Sequence, residues 1–169
     1  MVNENSKKTT ENLKDAFAGE SQANRKYLAF AKKAEEEGHP QVARLFRAAA
    51  DAETVHAHNH LRAMDGIKST KENLETAVNG ETYEFKEMYP GMIEEAREEN
   101  ESEARVSFSY ANRVEKIHAD LYKKYLNNIG KNAEEDIYVC QVCGNTEEGN
   151  PPEKCPVCGN PKEMFKKID

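Results

Sequence analysis

All four cysteines fall in the last thirty residues of the chain, as Cys140-Gln-Val-Cys143-Gly and Cys155-Pro-Val-Cys158-Gly. A Cys-x-x-Cys turn brings two thiols to one side of the backbone. The glycine that follows permits a conformation in which main-chain amides face the sulfurs. Two such turns make a tetrahedral set of four thiolates. Disulfides are the alternative use of the same residues, but paired Cys-x-x-Cys loops in a chain expected to stay in a reducing compartment favour a metal. Thiolate tetrahedra accept zinc as well as a single iron, so a structural zinc ribbon and a redox iron site are both open on this pattern. Tyr138, Val139, Val142, Val157 and Phe165 supply apolar cover for the sulfurs of a module too small to fold without its metal.

A second pattern lies upstream. Phe46-x-x-Ala49-x-x-x-Glu53-x-Val55-His56-Ala57 recurs 62 residues later as Phe108-x-x-Ala111-x-x-x-Glu115-x-Ile117-His118-Ala119. At about 100° per residue each set falls on one helical stripe, apolar except for its Glu and His. Carboxylates on a core-facing stripe pay a large desolvation cost unless a positive charge is bound between them. A metal pair answers that cost. With 25 Glu and 5 His, chance supplies about one Glu-x-x-His, and Glu36-Glu37-Gly38-His39, across a helix break, is such a case. The two matched ones are different, because each follows a segment carrying Gly-Glu, Gly19-Glu20 and Gly80-Glu81. A Glu from each of two helices plus a Glu-x-x-His from each of two others is the donor set of ferritin-like di-iron bundles. Glu84, one turn after Glu81, is a fifth carboxylate on the same face. Tyr27, two turns after Glu20, and Tyr89 are either core aromatics or hydroxyl partners of ligand carboxylates. His60 is nearly in line with Glu53 but reads as partly exposed, and His39 and His58 read as surface residues.

The elements that must position these groups are four long helices, rich in Ala, Leu, Glu, Lys and Arg. The first is expected from near Thr10 to Glu37, stopped by Gly38-His39-Pro40, and the second from about Pro40 to Met64, ended near Gly66. The third begins before Gly80 and runs towards Glu98 with Pro90 bending it; the fourth runs from about Glu101 to Asn128 and is closed by Gly130. Lys131 to Asp136 is a polar linker. The expected fold is mainly α, a four-helix bundle over residues 1–136 made of two copies of a helix hairpin, with a small metal-binding domain over 137–169. At 169 residues the chain is long enough for one main core and one appendage. No apolar run approaches the ~20 residues of a spanning helix, and the start lacks a basic stretch followed by an apolar core, so no membrane partner and a cytoplasmic location are expected. A net charge of -7 opposes a phosphate backbone, which excludes nucleic acid as an expected partner.

Over essentially its whole length the sequence resembles rubrerythrins. Ala18-Gly19-Glu20-Ser21-Gln22-Ala23, Glu53-x-x-His56, Gly80-Glu81-x-x-Glu84, Glu87-Met88-Tyr89-Pro90, Glu115-x-x-His118 and the terminal Cys-x-x-Cys pair occur in that family's order. The resemblance implies a ferritin-like di-iron bundle, a rubredoxin-like tail with one iron on Cys140, Cys143, Cys155 and Cys158, and reduction of hydrogen peroxide to water in oxidative-stress defence. It implies that Glu53 and Glu115 bridge the two irons, that Glu20 holds one with His56 or Glu84 according to redox state, and that Glu81 and His118 hold the other. It also implies a head-to-tail homodimer in which one chain's tail serves the other's iron pair, and an external electron donor, a rubredoxin or a nicotinamide-dependent reductase. The chain has no Gly-x-Gly-x-x-Gly of its own for a nicotinamide. Asn145 is a departure, standing where rubredoxin domains often have Tyr.

The chemistry of the residues agrees with that function. Splitting peroxide takes two electrons, which a carboxylate- and imidazole-held iron pair delivers together; four thiolates close a metal's coordination and leave it a one-electron relay. Glu84 and Tyr27 are expected to manage protons or position peroxide. Iron oxidation and storage, and an oxygen-reducing di-iron protein, are the competing functions. The segment from Gly66 to Asn79 must span a bundle helix of roughly 35–40 Å. It reaches ~48 Å if extended and roughly 30 Å if Ser69 to Ala77 is helical, which leaves exchange of hairpins between two subunits open.

Overall fold

The computed structural model describes residues 4–169, with side chains from Lys7 onward. Five α-helices, α1 (Glu4–Glu36), α2 (Pro40–Ala63), α3 (Thr70–Tyr83), α4 (Tyr89–Glu98) and α5 (Ser102–Asn127), precede three strands, β1 (Ile137–Cys140), β2 (Thr146–Glu148) and β3 (Phe165–Ile168). The chain divides into two compact units, Met1–Lys68 and Ser69–Asp169. Among the described residues no helix is long and apolar enough to cross a membrane.

The first unit is a hairpin of α1 and α2. Its contact face is built on alanine: Ala31, Ala34 and Ala43 are buried with Phe46 against them, and Ala50 and Ala57 are buried further along α2. Small side chains let the two backbones approach closely, and Asn24 uses that proximity. Its amide donates to the Ala50 carbonyl at 2.6 Å and the Thr54 hydroxyl at 2.8 Å, which fixes the register of α1 on α2. The reversal falls at Gly38-His39, with Pro40 opening α2. Among the described residues helix α1 already includes Glu4, ahead of the expected start near Thr10, and no glycine or proline interrupts the segment before Gly19.

The second unit starts with a capping box. The Ser69 hydroxyl accepts the Glu72 amide while the Glu72 carboxylate accepts the Ser69 amide, so α3 begins at Thr70, ten residues ahead of Gly80. The helical run from Thr70 to Glu98 does not simply bend at Pro90. It opens into a π-helical turn at Glu84–Met88, in which the Tyr89 amide donates to the Glu84 carbonyl. Pro90 brings no amide and a ring that crowds the preceding turn, and a widened turn relieves both.

The strands form an antiparallel sheet in the order β2-β1-β3, with Ile137 opposite both Glu148 and Ile168. This module packs on α5 of its own unit: Val114 is buried in one cluster with Cys140, Cys155 and Val157, and Tyr110, Ile117, Met164 and Phe165 lie around it. Arg113 clamps the second cysteine turn, its guanidinium donating to the Val157 carbonyl at 2.5 Å and the Pro156 carbonyl at 2.6 Å. Of the expected apolar cover, Val157 and Phe165 serve in the cluster, whereas Val142 is 42% exposed. Helix α5 provides the missing cover.

Candidate metal centres

Among the described residues three groups of side chains come together with the spacing of metal ligands: Cys140, Cys143, Cys155 and Cys158; Glu20, Glu53 and His56; and Glu81, Glu115 and His118. In each group one ligand atom per residue lies within 4.8 Å of all the others.

The cysteines are free, with Sγ atoms 3.7 Å apart between Cys140 and Cys158 and 3.5 Å apart between Cys143 and Cys155. A disulfide needs about 2.05 Å. A tetrahedron of sulfurs around an ion with bonds of about 2.3 Å has edges near 3.8 Å, so the spacing fits a tetrathiolate metal and not a pair of bridges. The two turns are built alike. Gly144 and Gly159, at φ 83° and 74°, return their amides to the Cys140 and Cys155 carbonyls, and the Cys140 and Cys155 amides donate to the Asn145 and Asn160 carbonyls at 2.8 Å. A side chain at either glycine would be strained in that left-handed conformation. Burial pushes the Cys143 thiol up. At Cys158 burial is outweighed by the main-chain and side-chain amides of Asn160, which bring the thiol down to about 6. The signal for this likeness in the sequence is a repeated Cys-Gly-Asn, Cys143-Gly144-Asn145 and Cys158-Gly159-Asn160. Asn145 is fully buried and its amide donates to Glu147 at 2.8 Å, while that of Asn160 donates to Cys158 Sγ at 3.3 Å.

A hydrogen bond to sulfur favours the more negatively charged, reduced form of a bound iron. If it is worth about 1 kcal/mol, its loss shifts a one-electron potential by about 40 mV. Asn160→Ala is therefore expected to lower the tail potential by about that amount in a spectroelectrochemical titration. An unchanged or raised potential would contradict the role.

The two carboxylate–imidazole groups repeat each other in geometry as in sequence. His56 Nδ1 lies 2.8 Å from Glu53 and 3.8 Å from Glu20; His118 Nδ1 lies 2.9 Å from Glu115 and 3.9 Å from Glu81. An ion with bonds of about 2.1 Å spans donors roughly 3 to 4 Å apart, so each group fits one divalent cation. Helical spacing positions each Glu-x-x-His pair, and α1 and α3 bring the third carboxylate. Glu84, first residue of the π-helical turn, stands outside the three-donor group. It is near enough that burial and the Glu115 charge push its carboxyl above the ordinary range. Tyr89 is also pushed up, by burial and then by Glu115. Tyr27 joins an aromatic cluster with Phe30 and Phe46, at ring distances of 6.4 and 6.1 Å.

Without a cation, protons take its place. Burial and a hydrogen bond to Glu115 raise Glu81 to about 7, and the hydrogen bond to Glu115 raises His118. Both folded-state values lie above the unfolded ones, 4.5 and 6.5. The stability they contribute to metal-free protein is thus present at acid pH and lost as pH rises, through about 7 for Glu81 and above 6.5 for His118. Metal-free Glu81→Gln is expected to lose less thermal stability than wild type between pH 5 and pH 8. Equal losses in the two proteins would contradict this.

The comparisons with known proteins agree with this architecture. Residues 11–126 match the rubrerythrin family model, and residues 138–166 match that of the rubrerythrin rubredoxin-like domain. Rubrerythrin-2 of Clostridium acetobutylicum is 37% identical over 93% of this chain and 95% of its own length. Nigerythrin of Nitratidesulfovibrio vulgaris is 39% identical over 93% and 85%. A solved structure of nigerythrin in its mixed-valent state superposes with a TM-score of 0.57 at 38% identity, covering 95% of this chain and 86% of that one. With both family models matched in order, the chain belongs to the rubrerythrin family, a ferritin-like helical domain followed by a rubredoxin-like domain with four clustered cysteines.

Proposed function

We propose that this chain is a peroxidase that reduces hydrogen peroxide to water. One observation carries the reading most directly: the four-thiolate module docks on α5, the helix that also bears Glu115 and His118. A storage protein has no need of a closed thiolate site there, whereas a multi-electron reductase does. Nigerythrin has been solved in mixed-valent and all-ferrous states, which supports iron as the metal for these donors.

In this reading Glu20, Glu53, His56, Glu81, Glu84, Glu115 and His118 hold a di-iron pair, and Cys140, Cys143, Cys155 and Cys158 hold one further iron. When bound, two ferrous ions supply both electrons that the O–O bond takes up, and the tetrathiolate iron supplies replacements one at a time. Hydrogen peroxide, two electrons and two protons give two waters. Glu84 is suited to bring a proton, since burial keeps its carboxyl protonated to higher pH than an exposed Glu. Tyr27 offers a hydroxyl one turn from Asn24, the residue that fixes α1 on α2.

Anaerobic titration of the fully reduced protein tests the reading. One peroxide is expected to re-oxidise the pair, and dioxygen is expected to react much more slowly. Faster reaction with dioxygen, or accumulation of a large iron load, would favour the oxygen-reducing or storage functions instead.

We further propose a homodimer with exchanged helical hairpins, supplied by an external donor, a rubredoxin or a nicotinamide-dependent reductase. Between α2 and α3 only residues 64–69 lie outside helix. Six residues reach about 20 Å, against roughly 36 Å for a helix as long as α2. A monomeric sedimentation profile at full turnover would overturn it.

A further inference from the structure

Thr146 opens β2, and its hydroxyl is placed between two groups that matter. It lies 3.3 Å from the Gly144 carbonyl and 2.9 Å from Nε2 of His118. A threonine hydroxyl has one proton to give. With a cation on Nδ1, the nitrogen facing Glu115 at 2.9 Å and Glu81 at 3.9 Å, a neutral His118 carries its ring hydrogen on Nε2. That hydrogen then goes to the Thr146 oxygen, and the hydroxyl's own proton goes to the Gly144 carbonyl, which can only accept.

The equivalent histidine shows that this is not a property of the Glu-x-x-His motif itself. His56 has the same Nδ1 geometry with Glu53 and Glu20, but its side chain is 52% exposed and Nε2 has no partner among the described residues. The His118 side chain is 27% exposed and is held on both nitrogens. The second hold comes from the cysteine module. Gly144 follows Cys143 directly and returns its amide to the Cys140 carbonyl at 2.8 Å, so the bond from Thr146 ends on the backbone of the first cysteine turn.

We propose that Thr146 is a positioning residue: its hydroxyl fixes His118 as the Nε2–H tautomer and ties that ligand to the Cys143-Gly144 turn of the tetrathiolate site. An orienting partner of a ligand histidine typically accounts for 10- to 100-fold in metal affinity or activity, roughly the effect expected here. The tie also connects the cysteine turn to His118 through two hydrogen bonds and one hydroxyl. The electron-transfer part of the inference rests on the proposed redox function; the tautomer part does not.

Thr146→Val keeps the shape of the side chain and removes the hydroxyl, and Thr146→Ser keeps the hydroxyl. With the cysteine site filled by zinc, zinc affinity of the carboxylate–histidine site is expected to fall about 10- to 100-fold in Thr146→Val and to recover in Thr146→Ser. In 15N spectra of the same zinc-loaded proteins, the His118 Nε2–H is expected to be protected from solvent exchange in wild type and Thr146→Ser, and to exchange freely in Thr146→Val. In iron-loaded protein the single-transfer rate from the reduced tail to the oxidised pair is expected to fall by a similar factor, with the tail potential unchanged. Unchanged affinity and exchange in Thr146→Val, or no recovery in Thr146→Ser, would overturn the proposal. A wild-type chain that passes no electron from tail to pair would overturn the redox reading, and the zinc affinity and 15N measurements would still decide the role of Thr146.

Discussion

Cys155→Ser is expected to empty the tetrathiolate site and melt the sheet module while the helices stay folded. Cys155 is buried in the same cluster as Cys140, Val157 and Val114 of α5. Beyond the cysteines the module buries few large side chains, so its order depends on the ion. In small metal-folded domains binding contributes on the order of 10 kcal/mol, more than a core of this size returns. Amides of Ile137–Cys140 and Phe165–Ile168 should lose hydrogen-exchange protection, and the visible absorption of a thiolate-bound iron should vanish. The helical far-ultraviolet signal should remain, because the packing of α1 on α2 and of α3 on α5 does not involve the module. In function the effect should be selective. A first equivalent of peroxide still oxidises a chemically reduced pair, whereas turnover with an external donor stops. Protected strands, or sustained turnover, in this variant would contradict both the structural dependence and the proposed relay.

What could be read in advance follows from how local each signal is. The Glu53–His56 and Glu115–His118 pairs sit three residues apart on single helices, so helical geometry alone puts their side chains on one face, and their distances differ by only 0.1 Å between the copies. The cysteine turns are as local. The third helix, expected to begin before Gly80, starts where the Ser69-x-x-Glu72 capping box puts it, another signal contained within four residues. The contacts that were not legible are long-range. Arg113 reaches Val157 across 44 residues and His118 reaches Thr146 across 28, and neither pairing has a spacing rule behind it. The π-helical turn at Glu84–Met88 was hidden for another reason. Pro90 signals a disturbed helix, but the sequence does not say whether the disturbance is a bend or a widened turn.

The cysteine module seats on α5 of its own unit. Helix α5 therefore has two occupations along adjacent positions. Arg113 and Val114 hold the module, Glu115 and His118 carry ligand atoms, and Lys124 closes the contact with a 2.5 Å ion pair to Glu148 on β2. A helix is stiff on this scale, so it fixes the separation of the two centres without a flexible linker. The residues from 128 to 136 lie outside helix and strand, and Asp136 ties their end to the module, its carbonyl accepting the Gly149 amide at 2.8 Å and its carboxylate pairing with Lys167 at 2.7 Å. The docking depends on the buried contact and on Arg113 more than on Lys124, whose exposed ion pair contributes little and is screened by salt.

Glu115→Gln is expected to have the largest effect of any single helical substitution. The Glu115 carboxylate acts on Glu81, Glu84 and Tyr89 after burial, and on His118 ahead of it, so one side chain touches the proton affinity of four groups. Glutamine keeps the length of the side chain and the course of α5 while removing the charge. In metal-free protein Glu81 should fall part of the way, because burial, the largest cause of its rise, stays while the hydrogen bond to the Glu115 carboxylate and its repulsion are removed. His118 should fall, because its largest raising contact is gone. Both changes shrink the stability that wild type loses on going from acid to alkaline pH. For the loaded protein the outcome is loss of ions. Removing a direct ligand exceeds the 10- to 100-fold cost of removing a supporting partner. Iron after dialysis should therefore fall from about three per chain, one for each donor cluster, towards the one held by cysteine. Peroxide turnover should vanish while the tail still shows its absorption and still bleaches on reduction, the reverse of Cys155→Ser. An NMR titration of His118 and metal analysis of the same sample give both readings. Full iron content with an unmoved His118 would mean that Glu115 neither binds a cation nor shares a proton, although its oxygen lies 2.9 Å from the imidazole.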